Sequence, residues 1–233
     1  MIEVRRLVKT FGVKPVLRGL DFNVEAGEFV ALLGPNGAGK TTFLRILATL
    51  SRPKMGEVIV AGYRLPGQAS AIRQRLGVVS HQPLLYGDLS AEENLQFYAR
   101  MYALRSHETR IKEVLKMVGL YPRRRDLVRE FSRGMQQRLA IARSILHNPD
   151  ILLFDEPHTG LDQDAAKMLD ELLIEIASVG RTVVMTSHDL PRAVKLADRL
   201  DILSHGVIAA SIHKGDPEMS DFPELYRRVT QDD

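Results

Sequence analysis

The sequence predicts an α/β fold: a mostly parallel sheet, an antiparallel β portion at the N-terminus, and a helical subdomain inserted into the core. Three observations predict it. The short apolar runs 29–33, 76–80, 151–154 and 182–186 have the near-continuous hydrophobicity of strands buried on both faces. The first leads into Gly34-Pro35-Asn36-Gly37-Ala38-Gly39-Lys40-Thr41-Thr42, which fits the phosphate-loop pattern G-x-x-x-x-G-K-[ST] without a substitution. From Leu89 to about His147 the period becomes that of amphipathic helices.

In chain order, Ile2 to Val8 and Leu20 to Val24 alternate as two strands, with Phe11-Gly12 in a loop ahead of Pro15. A turn at residues 25–28 leads into the strand 29–33. The phosphate loop follows, then a helix from Thr42 to Leu50 with Phe43, Leu44, Ile46 and Leu47 on one face. Glu57 to Val60 is a short strand, and the strand 76–80 ends at His81-Gln82-Pro83. Ser90 can cap a helix carrying Leu95, Tyr98 and Tyr102. Ile111, Val114, Leu115 and Val118 form the stripe of a second helix, stopped by Gly119. A third runs from about Met135 to His147. Strand 151–154 ends in Asp155-Glu156, helix 164–179 is stopped by Gly180, and strand 182–186 ends at Ser187-His188-Asp189. Residues 200–203 and 207–212 read as closing strands, and the tail after Gly215 as polar and turn-rich. These elements give one domain, with 1–88 and 148–233 as the nucleotide-binding core and 89–147 as the helical subdomain.

The residue types of the loop explain the chemistry of such a P-loop NTPase core. Gly34, Gly37 and Gly39 allow positive φ, so successive backbone N–H groups can face a polyphosphate. The helix start adds its free N–H groups and the positive end of its dipole. Lys40 supplies an ammonium for the outer phosphates, and the Thr41 hydroxyl suits Mg²⁺. Two adjacent carboxylates at a buried strand end are costly unless a cation or donors hold them. Taken alone, Gln82 is a loop glutamine and Phe11 a packing residue or a stacking platform. His188 ends a third core strand that presents polar groups on the same edge. Arg123-Arg124-Arg125, with Arg129 and Arg133, reads as a solvated face or a surface for an acidic partner.

The chain has 233 residues, no cysteine and a net charge of +3. Disulfides, thiolate catalysis and cysteine-ligated zinc are excluded, and the charge gives no support for nucleic acid binding. No apolar run approaches membrane-spanning length, and the N-terminus lacks a signal-peptide core, so a cytosolic protein is expected.

The order of phosphate loop, Gln82, helical insert, Phe131-Ser132-Arg133-Gly134-Met135-Gln136-Gln137-Arg138, Asp155-Glu156, Gly160-Leu161-Asp162 and His188 resembles that of the ATP-binding subunits of ABC transporters. The resemblance covers nearly the whole chain. The segment from Phe131 looks like the family's L-S-G-G-Q signature. The resemblance implies ATP and Mg²⁺ as cofactors, with Phe11 stacking on adenine, residues 34–42 holding phosphates, and Thr41, Gln82 and Asp155 holding the metal. It implies that Glu156 polarises the attacking water, that Gln82 belongs to the catalytic set, and that His188 contacts the γ-phosphate. It further implies a head-to-tail homodimer in which Ser132, Arg133 and Gly134 meet the other protomer's ATP and Asp162 lines the interface. Transmembrane transporter subunits would be the partners, on the cytoplasmic face of the membrane, with a cleft near Gln82 and Tyr86 receiving one of their helices. Arg133 and Met135 depart from the signature's usual glycine and glutamine. Arg133 either adds charge at the partner's triphosphate or points to solvent. The wording of this segment resembles haem-exporter subunits of cytochrome c maturation. Drug- or polyketide-export ATPases, a soluble ATPase of ribosomes or DNA, and a non-hydrolysing module are the alternatives.

Overall fold

The computed structural model describes residues 1–80, 82–219 and 221–231. β1 (Ile2–Phe11) and β2 (Lys14–Val24) pair antiparallel. Both run further than expected, so Phe11 closes β1 and Pro15 lies inside β2. β2 is the edge strand of its sheet, where proline's missing N–H is tolerated. β3 (Phe29–Leu33) leads through the phosphate loop to α1 (Lys40–Leu47), which stops three residues before the expected Leu50. β4 (Met55–Val60), β5 (Tyr63–Arg64), α2 (Ala69–Gln74) and β6 (Leu76–Val79) follow. β5 and α2 are too short to show a period in the sequence. His81, at the expected strand end, lies outside the described residues.

α3 (Ala91–Met101), α4 (His107–Met117) and α5 (Arg133–Ile145) stand between β6 and the next strand. Ser90 caps α3 reciprocally with Glu93, and Gly119 takes φ +68° beyond α4. β7 (Ile151–Asp155), α6 (Gln163–Ser178), β8 (Thr182–Thr186), α7 (Leu190–Leu196), β9 (Arg199–Ser204), β10 (Val207–His213) and α8 (Phe222–Gln231) complete the chain. α8 corrects the turn-rich reading of the tail. Phe222, Leu225, Tyr226 and Val229 follow a helical stripe, and the fully buried Phe222 anchors it on the core.

There are two sheets. One has the order β2-β1-β4-β5 and is antiparallel. The other has the order β10-β9-β3-β8-β7-β6 and is parallel except for β10. Alternation along the second sheet divides the core. Phe29, Ala31, Leu33, Leu152, Phe154, Val183 and Met185 face the helical side with α3 to α6. Val30, Leu32, Ile151, Leu153 and Val184 face α1 and the antiparallel sheet. Burial on both faces is why these strands read as unbroken apolar runs. None of the described helices is long and apolar enough to cross a membrane.

The dense arginine stretch is largely satisfied within the chain. Arg123 pairs with Asp126, Arg129 with Asp88 at 2.8 Å, and Arg124 lies over the Tyr121 ring, 4.4 Å from its centroid.

Candidate active site

β3, β8, β7 and β6 are neighbours and parallel, so their carboxyl ends open on one edge. Ligand groups gather at such an edge in open α/β sheets. The phosphate loop leaves β3 there. Gly34 has φ +149°, and a Cβ on it would lie 2.2 Å from the Leu203 carbonyl oxygen. Gly39 has φ +111°, with the Leu17 side chain 2.9 Å from any Cβ. Both conformation and space therefore demand glycine at these two positions. Lys40 folds back over the loop, and its Nζ donates to the carbonyls of Gly34 at 2.7 Å and Pro35 at 3.1 Å. Burial lowers its pKa, against the pull of the Glu156 and Asp155 charges. A buried ammonium held only by carbonyls is well disposed to accept a polyanion.

Asp155 is buried at the end of β7. Its Oδ1 accepts from the Thr186 hydroxyl at 2.8 Å and from the Thr41 hydroxyl at 3.1 Å. A hydroxyl and a buried carboxylate side by side are hard oxygen donors of the kind Mg²⁺ takes. The described residues hold no group of three acidic, histidine or cysteine side chains that could cage a metal. The donor set thus fits an ion shared with phosphate, since Mg²⁺ keeps several ligands from water and substrate.

Glu156 has φ +50°, a left-handed conformation rare for a residue with a side chain. Its N–H donates to the Thr186 hydroxyl at 2.9 Å. Its Oε2 accepts from the Thr159 hydroxyl at 3.1 Å and lies 3.1 Å from His188 Nδ1. The Glu156 carboxylate is therefore oriented by two partners, with His188 itself exposed. Sequence reasoning missed Thr186 and Thr159. Thr186 was legible in principle, as a hydroxyl at the end of a buried strand beside the strand ending in two acids.

The remaining predicted residues are placed as follows. Phe11 is 58% exposed at the hairpin turn, with the Lys9 ammonium 5.2 Å from its ring centroid. Asn36, Gly37 and Ala38 border a cavity with Lys14 and Arg18, two cations the sequence reading did not single out. Thr42 follows Thr41 in the first turn of α1. Gln82 is exposed, and Ser80 donates to its carbonyl at 2.6 Å. No hydrogen bond among the described residues joins the Gln82 side chain to Thr41 or Asp155. Ser132 caps α5, its hydroxyl accepting from the Met135 N–H at 3.3 Å. Gly134 packs toward Ala165 on α6. Asp162 caps α6, accepting from the Ala165 N–H at 2.7 Å.

Arg133 is exposed, and its side chain also lies along the loop after Glu156. Its guanidinium carbon lies 2.5 Å from where a Cβ on Gly160 would be, so it covers the loop that follows Glu156. With Ser80, Gln136, Gln137, Glu156 and Thr159 it lines a cavity of 280 Å³.

A glycine-rich phosphate loop with a buried lysine, an oxygen donor pair and an oriented glutamate at one sheet edge define a P-loop nucleotide-binding protein. Comparisons with known proteins narrow this. The ABC transporter family model matches residues 17–159. The linearmycin resistance ATP-binding protein LnrL of Bacillus subtilis (strain 168) is 35% identical over 90% of this chain and 68% of its own length. The Nod factor export ATP-binding protein I of Burkholderia lata (strain 383) is 39% identical over 88% of this chain and 68% of its own. Among solved structures, the dimeric post-hydrolysis ATP-binding cassette MJ0796, bound to ADP and Pi, superposes with TM-score 0.83 at 30% identity, covering 93% of this chain and 100% of that one. The chain belongs to the ABC transporter family, as one of its ATPase domains.

Proposed function

We propose that the chain is the energy-coupling ATPase of an exporter, working as a head-to-tail pair with two ATP molecules between the copies. The observation that carries hydrolysis is the Glu156 carboxylate, fixed by Thr159 and His188 beside the phosphate loop. In this reading Lys40 and the amides of residues 34–42 hold the phosphates, and Phe11 stacks on adenine. Thr41, Asp155 and Gln82 hold Mg²⁺, which when bound neutralises charge on the phosphates. Glu156 draws the proton of the attacking water, and His188 donates to the γ-phosphate and fixes its place. Phosphoryl transfer asks for positioning and charge stabilisation, which this set provides. Ser132, Arg133 and Gly134 serve the partner's ATP, and Asp162 lines the seam. A dimer of this kind is supported by the solved neighbour, itself dimeric with ADP and Pi. Residues 1–88 with 148–233 act as the nucleotide core and 89–147 as the helical subdomain.

Membrane subunits are the proposed partners, on the cytoplasmic face. A cleft of 520 Å³ between Leu50, Leu84, Tyr98, Met101 and Tyr102 supports this, since four of these side chains expose large apolar surface. Neither Gln82 nor Tyr86, where the cleft was expected, lines it; it lies beside them through Ser80 and Leu84 and can take a partner's helix. For cargo, relatives named for linearmycin resistance and Nod factor export support a drug- or polyketide-type exporter as a reading equal to the haem export suggested by the signature wording. A pull-down from native membranes tests the transporter reading. A multi-span protein should return with the chain; recovery with ribosomes or DNA instead would refute it.

Arg133→Gly is expected to lower the ATPase rate several-fold through the loop at Gly160, with ATP-dependent dimerisation intact. An unchanged rate in a steady-state assay would discard a role for this residue.

A further inference from the structure

We propose that Asp170, inside α6, is a positioning residue for turnover, fastening the loop after Glu156 to the start of α7, which follows His188. The proposal rests on the functional reading above only for which step it affects. Asp170 is 3% exposed and stands next to the buried Leu169, on the face of α6 that also buries Leu172 and Leu173. A carboxylate there is costly unless cations or donors from elsewhere meet it.

Two other segments meet it. Arg192 of α7 donates from Nη1 to Asp170 Oδ2 at 2.7 Å, and Lys195 Nζ lies 3.5 Å from the same oxygen. Arg192 also donates to the Ala166 carbonyl at 3.2 Å and, from Nε, to Asp189 Oδ2 at 3.2 Å. Asp189 caps α7 by accepting from the Arg192 N–H at 3.1 Å, and it directly follows His188. From the other side, His158 Nε2 lies 2.9 Å from Asp170 Oδ1, in contact although not aligned for a good hydrogen bond. His158 is two residues beyond Glu156. Burial lowers its pKa to about 4, so it meets Asp170 as a neutral ring at pH 7.

The loop after Glu156 and the start of α7 flank a cavity of 270 Å³ bordered by Glu156, His158, Gly160, Asp162, His188 and Arg192. They touch at the catalytic end, where Glu156 and His188 are 3.1 Å apart, and are tied at the other end through Asp170. Loss of the tie should let the catalytic pair drift, and a displacement of about 1 Å can cost 10²-fold in rate.

The test compares Asp170→Asn, His158→Ala and the double variant with the wild-type chain, reading kcat, KM for ATP and amide hydrogen exchange. Asp170→Asn should lower kcat by about 10-fold or more with KM within about twofold. Exchange should rise in residues 156–162 and 187–192 together, with the rest of the sheet protected as before. The double variant should be no slower than Asp170→Asn, because both act on one tie. Wild-type kcat in folded variants, or faster exchange spread over every element, would overturn the proposal. Should Asp170→Asn fail to fold, His158→Ala decides by the same two readings. A wild-type chain without ATPase activity would refute the proposed function, while the exchange data still decide this tie.

Discussion

Glu156→Gln is expected to lower ATP turnover by roughly 10²- to 10⁴-fold, the usual contribution of a positioned general base. The substitution keeps the shape of the side chain and removes the carboxylate that Thr159 and His188 orient. It leaves the phosphate loop, Thr41 and Asp155 untouched, so ATP should still bind. It also removes one negative charge from beside Asp155, which favours accumulation of an anionic ligand. ATP-bound pairs of chains should then persist, because the step that ends them is blocked. Turnover at the parent rate in a phosphate-release assay would mean that another group activates the water.

Lys40→Ala should weaken ATP binding by about 100-fold, the worth of roughly 3 kcal/mol of charge-assisted hydrogen bonding. The ammonium is held by two carbonyls and depressed in pKa by burial. A triphosphate offers it charged acceptors instead, so the gain on binding is large. The variant should remain folded, since α1 is anchored by Phe43, Ile46 and Leu47 rather than by Lys40. Calorimetric titration with Mg·ATP checks this, and affinity within twofold of the parent would remove Lys40 from the site.

The elements that were legible in the sequence are those whose side chains face one environment along their whole length. β8 lies at the expected residues 182–186 because both of its faces are buried. α6 starts and stops within one residue of expectation because Asp162 caps it and Gly180, at φ +82°, ends it. β5 and α2 escaped because two and six residues carry no readable period. α8 escaped because polar residues between Phe222 and Val229 hid its stripe.

The site divides the same way. Lys40 and Thr41 were readable from the phosphate-loop pattern at the start of α1, and Asp155, Glu156 and His188 from their places at or just past the ends of buried strands. Thr186 and Thr159 carry no motif, and their roles arise from adjacency of β7 and β8 and from the turn after Glu156. Asp170 reads in sequence as one more acid on an amphipathic helix. Only the fold shows that it faces inward and meets α7. The placement of Arg133 over Gly160 likewise depends on how α5 meets the loop before α6, which no local pattern encodes.

The central claim is that two copies of this chain close on two triphosphates. Measuring the mass and nucleotide content of the Glu156→Gln chain, with and without Mg·ATP, tests it most directly. The account predicts a particle of twice the chain's 26.2 kDa that carries about one ATP per chain and reverts to single chains without nucleotide. A single chain at saturating Mg·ATP, or a pair that retains no nucleotide, would contradict it.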